Sequence, residues 1–190
     1  MESKKHKSGF VSIIGNPNVG KSTLMNALVG RELSIITHKA QTTRHRILGI
    51  INGEDFQIVL SDTPGIIKPN YEMQTSMMNF VKEALVDADV LLYMVTAEEK
   101  ELKDEKFFEK IKNTKAPLYV LINKIDQISQ EALENSVTYW KSLFPKAKIY
   151  PISALTGFYI PELLNTLISN LPISPAYFPK DQLTDKPERF

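Results

Sequence analysis

The sequence predicts an α/β fold of three layers: a six-stranded, mostly parallel sheet between helices, with one antiparallel hairpin at its edge. Three observations carry that prediction. Short apolar runs alternate with helix-period segments from residue 90 onward, as βαβ units require. An Asn-Gly pair separates two earlier apolar runs, which marks a hairpin. A glycine-bounded loop joins the first apolar run directly to the first helical pattern.

In chain order, residues 10–14 form a buried strand that ends at Gly15. Residues 21–29 place Leu24, Ala27 and Leu28 at helical spacing, and Gly30 stops the helix. Residues 31–45 are polar and aperiodic and read as a long functional loop. Strands over 46–51 and 56–61 flank the Asn52-Gly53 turn, and a helix over 72–86 follows a Pro-Gly turn. Strands at 90–95, 118–122 and 148–152 then alternate with helices at 101–113, 131–143 and 160–171. Residues 1–8 are expected to be a disordered basic arm, 9–171 a single domain, and 172–190 an extended, poorly packed linker marked by Pro172, Pro175, Pro179 and Pro187.

Composition excludes several classes. With 190 residues and 43% hydrophobic content, the chain buries one domain and not two. A net charge of +1 points to neither nucleic acid nor membrane. The absence of cysteine excludes disulfides and thiolate metal sites and fits a reducing, cytoplasmic setting. No apolar run approaches the roughly 20 residues that span a bilayer, so no integral membrane segment is expected. His6, His38 and His45 lack zinc spacing. Met73, Met77, Met78 and Trp140 read as core.

Gly15-Asn16-Pro17-Asn18-Val19-Gly20-Lys21-Ser22 matches G-x-x-x-x-G-K-[ST] between a strand and a helix, with Thr23 beside it in the first helical turn. The glycines let successive N–H groups face phosphate oxygens, and the helix N-terminus adds partial positive charge. Lys21 is expected to reach the β- and γ-phosphates and Ser22 to ligate Mg²⁺. Asp62-Thr63-Pro64-Gly65 ends the third strand. Asp62 suits Mg²⁺ through a bound water, and Gly65 lets its N–H approach the γ-phosphate. In Gln41-Thr42-Thr43-Arg44-His45-Arg46, one threonine is expected to close over the metal, and spacing alone does not choose between them. Arg44 and Arg46 are candidate cationic fingers that read first as solvated loop residues.

Asn123-Lys124-Ile125-Asp126 ends a central strand. A carboxylate at Asp126 accepts from guanine N1–H and the 2-amino group, donors that adenine lacks there. Asn123 ties the loops, the Lys124 stem lies along the base, and Ser153 and Ala154 offer backbone N–H groups to the guanine carbonyl.

Together these motifs, in order across residues 15–154, resemble the G domain of the translation-factor-type GTPases, which are P-loop nucleotide triphosphatases. The resemblance implies GTP and GDP as ligands with Mg²⁺, and it makes Thr43 the metal ligand of the first switch. Lys21, Thr43 and Gly65 are then the catalytic groups, and Ile66 belongs to the second-switch pattern. It also likens Asn18 to the asparagine that holds K⁺ beside the phosphates in some relatives. Ile66 stands where Ras-like proteins carry a water-orienting glutamine, and an aliphatic side chain cannot orient water, so slow turnover is expected. The alternative is a nucleotide-gated binding module with negligible turnover unless a partner is present. Residues 175–182 and 184–190 resemble the linker before a KH domain in the ribosome-assembly branch of the family. That likeness implies 16S rRNA and the 30S subunit as partners of a longer protein through that domain, with peripheral inner-membrane contact as a further association.

Overall fold

A computed structural model describes residues 5–30, 47–66, 72–100 and 104–181. The strands are β1 (Lys7–Gly15), β2 (Ile47–Asn52), β3 (Phe56–Asp62), β4 (Val90–Thr96), β5 (Leu118–Asn123) and β6 (Lys148–Pro151). The helices are α1 (Lys21–Val29), α2 (Glu72–Asp87), α3 (Glu105–Lys112), α4 (Gln130–Leu143) and α5 (Ile160–Asn170). One six-stranded sheet runs β2-β3-β1-β4-β5-β6. Only β2 is antiparallel to its neighbour, pairing Ile47 with Asp62 through Asn52 with Gln57. The predicted fold class therefore holds, edge hairpin included.

Side-chain alternation places the core on both faces of the sheet. On one face Val11, Ile13, Leu92, Met94 and Leu121 meet Leu24 and Leu28 of α1 and Leu163 and Leu167 of α5. On the other, Ile14, Leu91, Tyr93, Val120 and Ile122 meet Met77 and Val81 of α2, Phe107 and Ile111 of α3, and Trp140 of α4. Trp140, Met77 and Met78 are core, as expected; the side chain of Met73 lies outside the described residues. With both faces covered, the parallel strands β1, β3, β4 and β5 end together at one edge of the sheet, where ligands of open α/β sheets bind. Helix α3 begins at Glu105, not at 101, because the Asp104 carboxylate accepts from the Lys106 and Phe107 N–H groups and caps it.

Among the described residues, 7–8 and 172–181 make contacts with the sheet that the sequence did not announce. β1 starts at Lys7, inside the stretch read as a disordered arm, because Lys7 and Ser8 pair with Phe56 and Gln57 of β3. Residues 172–181, read as poorly packed, lie against the opposite edge of the sheet from the phosphate loop. Ser8 N–H donates to the Pro172 carbonyl, His6 Nδ1 to the Ser174 carbonyl at 2.9 Å, and the Tyr177 ring sits 5.0 Å from Phe10. The anchor is Gln57, which is fully buried. Its Oε1 accepts from Tyr177 N–H at 2.7 Å and Phe178 N–H at 3.0 Å, while its Nε2 donates to the Phe178 carbonyl at 2.9 Å and to Asn52 Oδ1 at 2.7 Å. Lys180 Nζ then donates to the carbonyls of Gly53 and Glu54 at the hairpin turn. Proline spacing suggested a linker because it carries no information about a distant glutamine. Residues 1–4 and 182–190 lie outside the described set.

Gln57→Ala strands those backbone groups, at a cost of about 1–3 kcal/mol. The expected result is a fall in the thermal midpoint of about 2–4 °C per kcal/mol, read from the fluorescence of Trp140, the chain's single tryptophan. An unchanged midpoint would mean that residues 172–181 contribute nothing to the folded unit.

Candidate functional site

The phosphate loop leaves β1 at Gly15 and enters α1 at Lys21, as its sequence predicts. Gly20 is required twice over. Its φ of 104° is left-handed, and a Cβ there would stand 2.3 Å from Asn123 Nδ2. No side chain caps the N-terminus of α1 and no acidic residue sits in its first turn. A helix N-terminus of this kind carries partial positive charge and suits an anion.

Lys21 is 6% exposed. Its Nζ donates to the Asn16 carbonyl at 2.8 Å and the Gly15 carbonyl at 3.2 Å. Burial pushes its pKa down to about 8, against the attraction of Asp62 and Glu99. A buried ammonium that leans on two carbonyls is poised for a stronger anionic partner. Around it, Asn18 is exposed with φ 65°, and Thr23 is half-buried in α1. The Val19 side chain belongs to the core, so only its backbone faces the loop.

At the end of β3, Asp62 is fully buried, and its Oδ2 accepts from Ser22 Oγ at 2.7 Å. Two side chains of this turn are buried in the fold. The Thr63 hydroxyl donates to the Ile13 carbonyl at 2.8 Å and is fully buried, so its side chain ties β3 to β1. The Ile66 side chain is fully buried among Met77, Met78 and Val81, while its N–H donates to the Gly15 carbonyl at 2.9 Å. Burial of a large apolar group outweighs any place for it beside a charged site. Pro64 is buried too, and Gly65 abuts the phosphate loop so closely that a Cβ would come within 2.6 Å of Pro17 N. Thr42, Thr43, Arg44, His45 and Arg46 lie outside the described residues.

The base-reading loops join the phosphate loop through Asn123, which is 3% exposed. Its Nδ2 donates to the Val19 carbonyl at 2.8 Å, and its Oδ1 accepts from Ala154 N–H at 2.9 Å. Lys124 has a left-handed backbone (φ 63°), and its ammonium reaches the Asn18 carbonyl at 2.8 Å. Ser153 Oγ donates to Asp126 Oδ1 at 2.6 Å and fixes the exposed carboxylate. The phosphate-loop, carboxylate-turn and base-reading residues within the described set therefore meet at one edge of the sheet.

Glu99, in the turn after β4, was not singled out from the sequence. Its Oε1 accepts from Asn16 Nδ2 at 3.0 Å and its Oε2 from Thr96 N–H at 3.1 Å. Its position just beyond a central strand, at the edge where ligands bind, was the available signal.

The family described as 50S ribosome-binding GTPase matches residues 10–124. GTPase Era of Clostridium botulinum (strain Eklund 17B) is 44% identical over 185 residues, which cover 97% of this chain and 63% of the relative. Among solved structures, Era in complex with MgGDPNP and nucleotides 1506–1542 of 16S ribosomal RNA superposes with a TM-score of 0.90 at 41% identity, covering 96% of this chain and 63% of that one. An Aquifex aeolicus Era variant bound to GDP·AlF4⁻ gives 0.87 at 40% identity, covering 95% and 62%. The chain thus spans less than two thirds of the length of these relatives.

The buried lysine makes the stability of the nucleotide-free chain depend on pH. Its pKa is 10.5 when unperturbed and about 8 when folded, so between these values the unfolded chain binds more protons and stability rises with pH. Below about pH 8 the full penalty is present. Lys21→Met is therefore expected to raise nucleotide-free stability at pH 7 by about 1–3 kcal/mol, with the advantage shrinking as pH rises past that value. Urea denaturation at several pH values measures it, and a pH-independent difference would contradict it.

Proposed function

The chain belongs to the 50S ribosome-binding GTPase family, and on that premise we propose that it binds GTP and GDP with Mg²⁺ and hydrolyses GTP slowly as a nucleotide switch. The observation that carries this reading is the single amide of Asn123, which couples the loop holding Lys21 to the loops holding Asp126 and Ala154. Phosphate and base recognition are thereby set at a fixed separation. The nucleotide domain proposed is residues 9–171, with 172–181 strapped beneath it.

Each residue has a task in this reading. The loop amides and the N-terminus of α1 hold the phosphates, and the Lys21 ammonium, steadied by the Asn16 carbonyl, reaches the β- and γ-oxygens. Ser22 Oγ and the Asp62 carboxylate, already 2.7 Å apart, are hard oxygen donors that fit Mg²⁺, with Thr43 as the ligand from the first switch. Mg²⁺ held there supplies charge neutralisation across the β- and γ-phosphates. The Gly65 N–H, brought against the phosphate loop, serves the γ-phosphate. Asp126, oriented by Ser153, accepts from the guanine edge, and the Ala154 backbone lies beside it.

Water orientation is the weak step. Ile66 is turned into the core, so backbone groups, a cation or a partner must hold the attacking water, and the intrinsic rate is slow. The same observation favours the second reading, a nucleotide-gated binding module whose turnover is negligible without a partner. Multiple-turnover phosphate release separates the two.

Era is the relative solved with 16S ribosomal RNA. We propose the same RNA and the 30S subunit as partners of a longer protein, through a KH domain outside this chain. No described helix is long and apolar enough to cross a membrane. Cytoplasmic residence with peripheral inner-membrane contact completes the proposal.

Fluorescent GDP and ADP titrations test the base reading. GDP is expected to bind far more tightly, and Asp126→Asn to cut the preference by about tenfold to a hundredfold, or 1–3 kcal/mol. Equal binding of GDP and ADP by the unaltered chain would overturn it. Asn18 is the proposed K⁺ ligand. Single-turnover hydrolysis should run faster in KCl than in NaCl, with the difference lost in Asn18→Ala. Equal rates in the two salts would remove K⁺ from the site.

A further inference from the structure

We propose that Glu99 is a positioning residue for the phosphate site, holding Asn16 so that the Asn16 carbonyl aims the Lys21 ammonium at the phosphates. The inference rests on the nucleotide reading above and deepens it.

The contacts form a continuous line from the end of β4 to the ammonium. Glu99 N–H donates to the Thr96 carbonyl at 3.1 Å, and Thr96 N–H donates back to Glu99 Oε2 at 3.1 Å. This closed turn fixes the carboxylate. Its other oxygen takes Asn16 Nδ2 at 3.0 Å, and the Asn16 carbonyl takes Lys21 Nζ at 2.8 Å. Asn16 is 4% exposed and is held at its side-chain end by Glu99 and at its carbonyl by Lys21. The parallel pairing of β1 with β4, in register from Val11↔Val90 to Gly15↔Met94, brings the phosphate loop beside the turn.

A neutral acceptor would suffice to hold the Asn16 amide. A carboxylate adds a charge that attracts Lys21, as Asp62 also does. Asp62 accepts from Ser22 and would hold the metal, whereas Glu99 reaches the lysine by way of the loop backbone. It therefore acts on where the ammonium stands, through Asn16. A displaced ammonium weakens the ground-state grip on the β-phosphate. It also weakens stabilisation of charge that develops on the transferring phosphoryl group, and such effects are steep in distance.

The test uses fluorescent GDP binding and single-turnover GTP hydrolysis at saturating nucleotide. Glu99→Ala is expected to raise the GDP Kd about tenfold and to lower the saturated rate as well. Glu99→Gln, whose amide oxygen still accepts from Asn16, should lie between, at about threefold. The Asn16→Ala, Glu99→Ala double variant should be no weaker than the weaker single variant, because both act through one chain of contacts. Glu99→Gln decides the matter if Glu99→Ala does not fold.

A structural role alone would lower the thermal midpoint and leave the saturated rate unchanged, and that outcome overturns the proposal. So does a wild-type Kd in Glu99→Gln and Glu99→Ala, or full additivity in the double variant. Failure of the unaltered chain to bind GDP is a different result, which removes the nucleotide reading itself.

Discussion

Two hydrogen bonds from one buried amide hold the functional edge of this protein together. Asn123 donates to the Val19 carbonyl and accepts from Ala154 N–H, so the phosphate loop and the loops after β5 and β6 cannot drift apart independently. An unpaired amide at 3% exposure costs more than the bonds it would lose to water. That penalty enforces the arrangement. Gly20 must be glycine partly because this amide stands where its side chain would be. The Lys124 ammonium on the Asn18 carbonyl and the Ser153 hydroxyl on Asp126 extend the same join outward.

The sheet makes such a join available. Strands covered on both faces must present apolar residues in both directions; β4 and β5 do so with near-continuous Val, Ile, Leu, Met and Tyr, and β1 with Val11, Ile13 and Ile14. Polar chemistry is thereby pushed off the faces to the strand ends. Lys21 and Asp62 sit at that boundary, buried enough to lose water and close enough to the ends to meet a ligand. The lysine has carbonyl partners and carboxylates nearby, yet burial still dominates its titration. In the nucleotide reading proposed above, a phosphate group would relieve that strain, which ties the stability of the nucleotide-free chain to its affinity for anions.

The carboxylate turn divides its labour between side chain and backbone. Thr63 and Ile66 spend their side chains on β1 and on the core beneath α2, leaving backbone groups and Asp62 at the site. A turn built this way positions N–H groups firmly but offers no side chain to orient water. At the far end of β3, Gln57 binds residues 177 and 178, so the strand that ends in Asp62 begins in a clamp on the C-terminal segment.

The fold, and the gathering of the phosphate loop, Asp62 and the base-reading loops at one sheet edge, could be read from the chain itself. Apolar periodicity is local, and one edge hairpin followed by strands alternating with helices leaves few topologies. The phosphate loop, Asp62 and Asn123 to Asp126 were legible because their chemistry needs those residue types at short, contiguous spacing. Tertiary structure alone decided which of the neighbouring side chains serve the site. Thr63 and Ile66 lie within a motif but face the core, since burial depends on what α2 and β1 present to them. Glu99 lies outside every motif but reaches Asn16, because β1 and β4 pair in register. Gln57 turned a proline-marked tail into part of the folded unit through contacts about 120 residues apart in the chain. Sequence spacing reports what adjacent residues can do together, whereas these contacts exist only once the sheet has assembled.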